Sequence, residues 1–279
     1  MTSRLVSMTR LPLILAAVLA AAACTKDAPE PTATEPAPAA AAPAATATAP
    51  TTEATAAGTP DANAPAGPIV PPTGPAPVAG TDYVEIPGGQ PYTPGEKIEV
   101  VEVFGYTCPA CASFEPLANA WKARLPADVE FEPVAAPFGG FWNTYAKAFY
   151  TAQSMGLIDK THDAMFRAIH VERSLPVQPA PSDEQIAQFY VKFGADPKAF
   201  QSTMASFATN AKLRRAQQFL ETSGVDSTPT MVVNGKYRVT GRGFDEILRI
   251  TDHLIARERA ASGTPAAQDE AAAETPAGS

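Results

Sequence analysis

The chain has 279 residues, enough for one large domain or two smaller ones, and its net charge is −8 at pH 7. Its lysines and arginines are scattered rather than clustered, so it offers no basic surface for a nucleic acid and we expect no nucleic-acid partner. An acidic balance of this kind is the ordinary condition of a soluble protein.

The first 23 residues have the pattern of a signal peptide. Arg4 and Arg10 provide a positive start, residues 11–22 form a short apolar run, and residues 21–23 are a small-residue processing site. The apolar run is too short to indicate a membrane-spanning helix. We therefore expect residues 1–23 to act as a signal peptide.

The segment Leu-Ala-Ala-Ala-Ala-Cys, which ends at Cys24, resembles the lipobox of bacterial lipoproteins, although Ala21 stands where that family usually has Leu. The resemblance implies that Cys24 becomes a lipidated N-terminus. Thr25 follows it instead of Asp, which by the same resemblance favours the outer membrane over the inner one. Two alternatives stay open: cleavage before Cys24 without lipid, which would leave an odd exposed thiol, and an uncleaved anchor.

Residues 24–80 are almost entirely Ala, Pro and Thr, and no aromatic residue precedes Tyr83. Such a segment cannot bury enough apolar surface to offset its chain entropy, so the sequence predicts a disordered, extended tether. The tail at 259–279 is similarly poor in large apolar residues and is also predicted to be disordered. Function must therefore lie in residues 81–258, which have the size of one domain.

Within this domain, residues 98–104, IEVVEVF, form a nearly continuous β-branched run. Such a run is typical of a strand covered on both faces, as in a mostly parallel sheet. Residues 129–134 predict a second strand. Between the two strands, apolar residues at helical spacing follow Cys111 and end at Pro126, and Pro116 is expected to bend this helix.

The pattern becomes helical between residues 141 and 223. Four helices are predicted, the last one broken near Thr209; strand signals then return as a hairpin with an Asn-Gly turn, followed by a final helix. The predicted bounds are 143–155, 162–171, 183–193 and 196–222 for the helices, 230–233 and 236–239 for the hairpin strands, and 244–257 for the final helix. This order predicts one α/β domain with an inserted all-helical subdomain.

Two of the three cysteines form a CxxC motif, FGYTCPAC, at the predicted change from strand to helix. A two-residue spacer lets Cys108 and Cys111 meet within one helical turn, and the helix start lowers the pKa of Cys108. Cys108 is therefore predicted to be the nucleophile and Cys111 the resolving thiol. Two alternatives remain. The pair could be half of a zinc site, but the three histidines lack close zinc-finger spacing. It could also be an inert structural disulfide, but closing so short a loop would add little stability.

This motif, the acidic residue in the preceding strand, the helical insertion and the segment GVDSTPTMVVNGKY together resemble the DsbA family of periplasmic thiol:disulfide oxidoreductases, which have a thioredoxin fold. The resemblance implies that the peptide between Thr228 and Pro229 is cis, lies beside the cysteines and pairs with the bound substrate strand. It also implies that Glu102 is buried and exchanges protons with Cys111 as the disulfide opens. Glu115 matches a second acidic family position, but we interpret it as solvating charge on an exposed helix face.

The dipeptide between the cysteines, Pro109-Ala110, departs from the family pattern. Strongly oxidising members have His where this chain has Ala110, and that His stabilises the thiolate of the residue matching Cys108. Ala supplies neither charge nor a hydrogen-bond donor, so the sequence predicts a less oxidising disulfide, each 30 mV of reduction potential corresponding to about 1.4 kcal/mol. The aromatic residues between 138 and 149 could line a peptide groove, but residues at helical spacing more often belong to the core, so they are assigned to the core and given no role in the site.

The sequence thus predicts a lipid-anchored oxidoreductase in the periplasm of a Gram-negative bacterium, with no metal and no cofactor, that passes its Cys108–Cys111 disulfide to exported proteins. The expected partners are reduced or misoxidised exported proteins and a DsbB-like, quinone-linked membrane protein that reoxidises the pair. Two other functions stay open. One is a disulfide reductase or isomerase, and the other is a noncatalytic lipoprotein that binds peptides through its thioredoxin fold.

Overall fold

A computed structural model describes residues 68–263. The predicted signal peptide, Cys24, most of the predicted tether and residues 264–279 of the predicted tail lie outside the described residues. In the part of the chain that is described, no helix is long and apolar enough to cross a membrane.

The described residues form a thioredoxin-like α/β fold, as the sequence predicts. The strands are β1 (Tyr83–Glu85), β2 (Ile98–Phe104), β3 (Val129–Ala135), β4 (Thr230–Val233) and β5 (Tyr237–Val239). The helices are α1 (Pro109–Lys122), α2 (Phe141–Ser154), α3 (Ile158–His170), α4 (Asp183–Val191), α5 (Pro197–Ala205), α6 (Phe207–Ser223) and α7 (Phe244–Ala261).

The five strands make one sheet in the order β1-β5-β4-β2-β3, in which only the β2–β3 pair is parallel among the described strands. Every residue of β2 is buried. Alternate side chains of a strand point to opposite faces. Val101 and Val103 accordingly join the apolar cluster of the helical insertion, whereas Val100 joins the cluster of α1 and α7. The doubly covered strand predicted at 98–104 is confirmed, but the mostly parallel sheet expected around it is wrong, because three of the four strand pairs described are antiparallel.

The helical insertion runs from α2 to α6, between β3 and β4. The internal break predicted near Thr209 is confirmed and lies at Ser206, three residues earlier. There the backbone is extended, and the Ser206 hydroxyl oxygen accepts from the N–H of Thr209, which caps α6. Thr209 itself is buried in the first turn and donates to the carbonyl of Thr203 at 2.7 Å.

Strand β1 is not predicted from the sequence pattern. It has three residues, too few for an alternating pattern to be visible, and it forms because Tyr83 pairs with Val239 at the edge of the sheet. The β4–β5 hairpin, in contrast, has the predicted turn. Asn234 and Gly235 have φ angles of 50° and 63°, as a two-residue hairpin turn with two positive φ angles requires.

The domain also begins earlier than the predicted boundary at residue 81. Residues 73–78, here called the strap, lie against α7. Arg249 donates to the carbonyl of Pro75, and Nε2 of His253 lies 3.2 Å from the carbonyl oxygen of Thr73. Composition could not reveal this, because a proline-rich segment can be held through its backbone carbonyls alone, which every residue has.

Helix α7 likewise continues past residue 258, where the predicted domain ends. Arg259 is buried, and its Nε lies 2.6 Å from a carboxylate oxygen of Asp128. Glu258 is also buried and accepts from Lys236 at 2.7 Å. These charged residues extend the helix because each has a partner in the fold, which the composition of the tail does not indicate.

Candidate active site

Cys108 and Cys111 lie at the start of α1, directly after the strand that carries Glu102. Cys108 is the N-cap residue, and its sulfur accepts from the backbone N–H of Cys111 at 3.4 Å. Pro109 occupies the first helical position, where its missing N–H costs nothing. The helix start therefore holds Sγ of Cys108 against backbone donors and at the positive end of the helix dipole.

The two thiols differ strongly in acidity. The pKa of Cys108 is lowered to about 5, first by a hydrogen bond from the Cys111 thiol and then, against the effect of burial, by further donors that include the backbone N–H groups of Ala110 and Cys111. Burial and the neighbouring Cys108 raise the pKa of Cys111. Cys108 is 8% exposed and Cys111 is fully buried. At neutral pH the outer sulfur is thus a thiolate and the inner sulfur a thiol.

We expect the thiolate of the reduced protein, followed by its ultraviolet absorbance, to titrate with a midpoint near pH 5, the lowered pKa of Cys108. The native reduced state is stabilised by this shift from the ordinary value of 9.0. The stabilisation is complete above that ordinary value and is lost as the pH falls through the lowered one. Cys108→Ala should abolish this titration, whereas a midpoint near the ordinary value in the native protein would contradict the assignment.

The loop before β4 lies beside the cysteines. The carbonyl oxygen of Thr228 lies 3.4 Å from Sγ of Cys108, and the peptide bond to Pro229 is cis, as the resemblance implied. Both residues are only partly buried. The fold thus brings together two segments that are 120 residues apart in the chain.

The dipeptide between the cysteines is exposed. Ala110 contributes its backbone N–H to the stabilisation of the Cys108 thiolate but has no side-chain donor or charge to add. The low pKa of Cys108 therefore arises without a histidine between the cysteines.

Glu102 is buried in the middle of β2, 2% exposed, and its Oε1 atom has no hydrogen-bond partner. Burial raises the pKa of this carboxyl well above its ordinary value, and the nearby charges of Glu115 and Cys108 raise it further, while Lys122 lowers it. A carboxyl in this environment keeps its proton to a higher pH than an exposed carboxyl does. Glu102 is thus a buried weak acid that interacts electrostatically with Cys108.

Glu115 is not on an exposed helix face, so its interpretation as solvating charge is wrong. It is 6% exposed, and its Oε1 lies 3.4 Å from Nε2 of His162. Burial raises the pKa of Glu115, but His162, Lys122 and Asn119 together outweigh it, with His162 the largest of the three, so that the net shift is downward. The sequence of α1 could not indicate this, because the covering helix, α3, follows about 40 residues later.

His162 also belongs to this site. It is one of the three histidines that the sequence suggested only as possible zinc ligands. Its Nδ1 lies 2.9 Å from the hydroxyl oxygen of Tyr106, which stands two residues before Cys108. The rings of Phe104, Phe149 and Phe166 surround the imidazole. Within residues 68–263, His, Cys, Asp and Glu form no group of three or more that could hold a metal ion.

Aromatic residues of α2 cover the turn that leads into the cysteines. A Cβ atom at Gly105 would overlap the indole ring of Trp142, so glycine lets the backbone pass directly beneath this ring. Trp142 in turn contacts Phe138, which is 40% exposed. The assignment of all aromatic residues between 138 and 149 to the core therefore holds for Tyr145 and Phe149 but not for Phe138.

The known proteins that this chain resembles share one family name. A family profile described as "DSBA-like thioredoxin domain" matches residues 119–255, a range that begins after the two cysteines. The "Thiol:disulfide interchange protein DsbA" of Pseudomonas aeruginosa is 44% identical over 172 residues, which are 61% of this chain and 79% of that protein. The protein of the same name from Azotobacter vinelandii is 41% identical over 171 residues, which are 60% of this chain and 78% of the relative.

Solved structures show the same similarity in three dimensions. The crystal structure of the oxidoreductase DsbA from Xylella fastidiosa has a TM-score of 0.65 and 45% identity, covering 66% of this chain and 98% of that one. The crystal structure of Pseudomonas aeruginosa DsbA has a TM-score of 0.62 and 41% identity, covering 67% of this chain and 97% of that one.

Proposed function

This chain belongs to the DsbA family, and on that premise we propose that its Cys108–Cys111 pair passes a disulfide to exported proteins. The protein is a thiol:disulfide oxidoreductase of the disulfide-forming kind. The assignment to this pair rests on the pKa values of the two thiols, which shift in opposite directions: the pKa of Cys108 is lowered and that of Cys111 is raised. A cysteine pair that only stabilises the fold does not require two thiols of such different acidity.

The exchange begins when a client thiolate attacks Sγ of Cys108 in the oxidised pair. The Cys108–Cys111 bond breaks, a client–Cys108 bond forms, and Cys111 leaves with the electron pair and must take up a proton because its thiol is a weak acid. Glu102, which holds a proton in the buried strand nearby, is the proposed donor.

A second client thiolate then attacks the client sulfur of the mixed disulfide, and Cys108 leaves as a thiolate. The client loses two electrons and gains a disulfide, and the pair ends reduced. A leaving thiol with a low pKa departs faster, and a stabilised thiolate favours the reduced pair. The pKa of Cys108 near 5 thus supports donation of disulfides, rather than reduction or isomerisation, as the direction of exchange.

The Thr228 carbonyl and the Pro229 loop are the proposed contact for the client backbone, since an extended peptide can hydrogen-bond there next to Sγ of Cys108. A DsbB-like, quinone-linked membrane protein is the proposed oxidant that restores the disulfide. We place the enzyme in the periplasm of a Gram-negative bacterium, exported by residues 1–23 and attached to the outer membrane through a lipid on Cys24. Metabolic labelling with a fatty acid, with Cys24→Ala as the control, tests this attachment.

We expect the oxidised protein to oxidise a reduced two-cysteine peptide with one-to-one stoichiometry. Mass spectrometry should show the peptide two hydrogens lighter and the protein two hydrogens heavier, because the exchange moves one disulfide. The protein with both Cys108 and Cys111 changed to Ala is the control for oxidation by air. If the purified protein neither oxidises the peptide nor catalyses insulin reduction, a noncatalytic peptide-binding role replaces the enzymatic one.

A further inference from the structure

His162 joins the helical insertion to Glu115, one of the two buried carboxyl groups near the cysteines. It lies on α3, with Nδ1 at 2.9 Å from the Tyr106 hydroxyl and Nε2 at 3.4 Å from Oε1 of Glu115. We propose that His162 decides which of the two buried carboxyls carries the proton: it keeps Glu115 ionised and so leaves the proton on Glu102. This inference deepens, and rests on, the proposed role of Glu102 as the proton donor to Cys111.

The burial of the two carboxyls supports the assignment. Glu102 and Glu115 are both almost completely buried, and each keeps one oxygen without a hydrogen-bond partner, Oε1 in Glu102 and Oε2 in Glu115. Two neighbouring buried carboxyls cannot both ionise cheaply, because each negative charge raises the pKa of the other. Only Glu115 has an imidazole beside it, so Glu115 ionises and Glu102 keeps the proton.

The contacts of His162 fix the direction in which it acts. An ionised Glu115 can only accept a hydrogen bond, so in the neutral imidazole the proton is on Nε2, which faces that carboxylate, and Nδ1 accepts from the Tyr106 hydroxyl. The titratable and charged groups that face this network are Tyr106, Glu102, Cys108, Glu115, Lys122, Asp163, Tyr190 and His170, whose Nε2 lies 2.7 Å from the carbonyl oxygen of Tyr106. Of these, only Glu115 is within ion-pair distance of His162.

This arrangement has a direct chemical consequence. When the disulfide opens, the O–H bond of Glu102 breaks and an S–H bond forms at Cys111, which leaves two carboxylates side by side. Their repulsion favours the return of a proton to Glu102 once Cys108 has left the client. His162 is accordingly a positioning residue, since it acts through Glu115 and touches neither client nor cysteine.

The test uses the whole reduced chain with its glutamate carboxyls labelled for NMR titration, and E102Q and E115Q assign the two signals. In the native protein, the signal with the raised pKa should vanish in E102Q. In H162F, which keeps a ring but removes both polar contacts, the pKa of Glu115 should rise by about 1 to 3 units and that of Glu102 should fall.

Two variants separate the contacts of the imidazole, and H162N replaces H162F if that variant fails to fold. H162Q places an amide where Nε2 stands and should keep both carboxyl titrations near their native values. H162N places an amide where Nδ1 stands, retains Tyr106 but loses Glu115, and should reproduce the shifts of H162F. F166L, which removes a ring packed on His162, should lower Tm without moving either titration.

The proposal is overturned if the raised pKa belongs to Glu115, or if H162F and H162N leave both carboxyls unchanged. Neither result depends on disulfide exchange. A protein that failed to oxidise a peptide could still show the shifts, so failure of this inference and failure of the proposed function are distinguishable.

Discussion

Cys108→Ser is expected to abolish disulfide exchange, and Cys111→Ser to stop it after a single step. Cys108 is the more exposed sulfur and the one with the low pKa, so only it can be attacked by, or can attack, a partner. A serine hydroxyl ionises too weakly to replace its thiolate. The rate of peptide oxidation in the Cys108→Ser protein should fall to that of the uncatalysed reaction.

Cys111→Ser should behave differently because Cys108 keeps its nucleophile and loses the thiol that resolves the mixed disulfide. Mixed with disulfide-bonded clients, this variant should accumulate covalent complexes that migrate slowly on non-reducing gels and disappear with a reductant. Cys24→Ser is the matched control, because it removes the remaining cysteine of the chain without touching the pair. Covalent complexes with Cys108→Ser and none with Cys111→Ser would show that the roles are reversed.

Ala110→His is expected to make the disulfide more oxidising. Ala110 is exposed next to the start of α1, so an imidazole fits there without repacking and adds a donor and a partial positive charge near the Cys108 thiolate. The reduced pair should gain stability while the oxidised pair does not. We expect the reduction potential to rise by about 30 mV or more, a tenfold change in the equilibrium with glutathione.

The measurement is the fraction of oxidised protein in glutathione redox buffers, and Ala110→Phe is the control that adds a ring without a titratable group. The gain from His should grow as the pH falls through about 6.5, where imidazole becomes charged. An equal rise with Phe would assign the effect to burial of the sulfur instead of charge, and no rise with His would mean that backbone donors already saturate the thiolate.

The sequence predicts those parts of the fold whose pattern lies within a few consecutive residues. The β-branched run of β2 and the CxxC at its end are visible within a few residues, and Glu102 is conspicuous as the charged residue beside Val101 and Val103 in an otherwise apolar part of that run. The resemblance to DsbA then placed the Thr228 loop near Cys108.

The missed features all depend on contacts that are distant in sequence. Glu115 looks solvated on α1, and it becomes a buried acid only when α3 brings His162 over it. Strand β1 exists because β5 offers an edge to pair with. Periodicity within one element cannot show which other element will cover it, so the contact between Glu115 and His162 was hidden although both cysteines and Glu102 were evident.

The strap has a practical meaning for preparing the protein. A shortened form that started at residue 81, the boundary suggested by composition, would delete the carbonyls of Thr73 and Pro75. Arg249 and His253 would then lose those acceptors on the outer side of α7, a helix that packs against both α1 and the sheet. Anyone trimming the chain for crystallisation or NMR should therefore keep the strap and begin before residue 73.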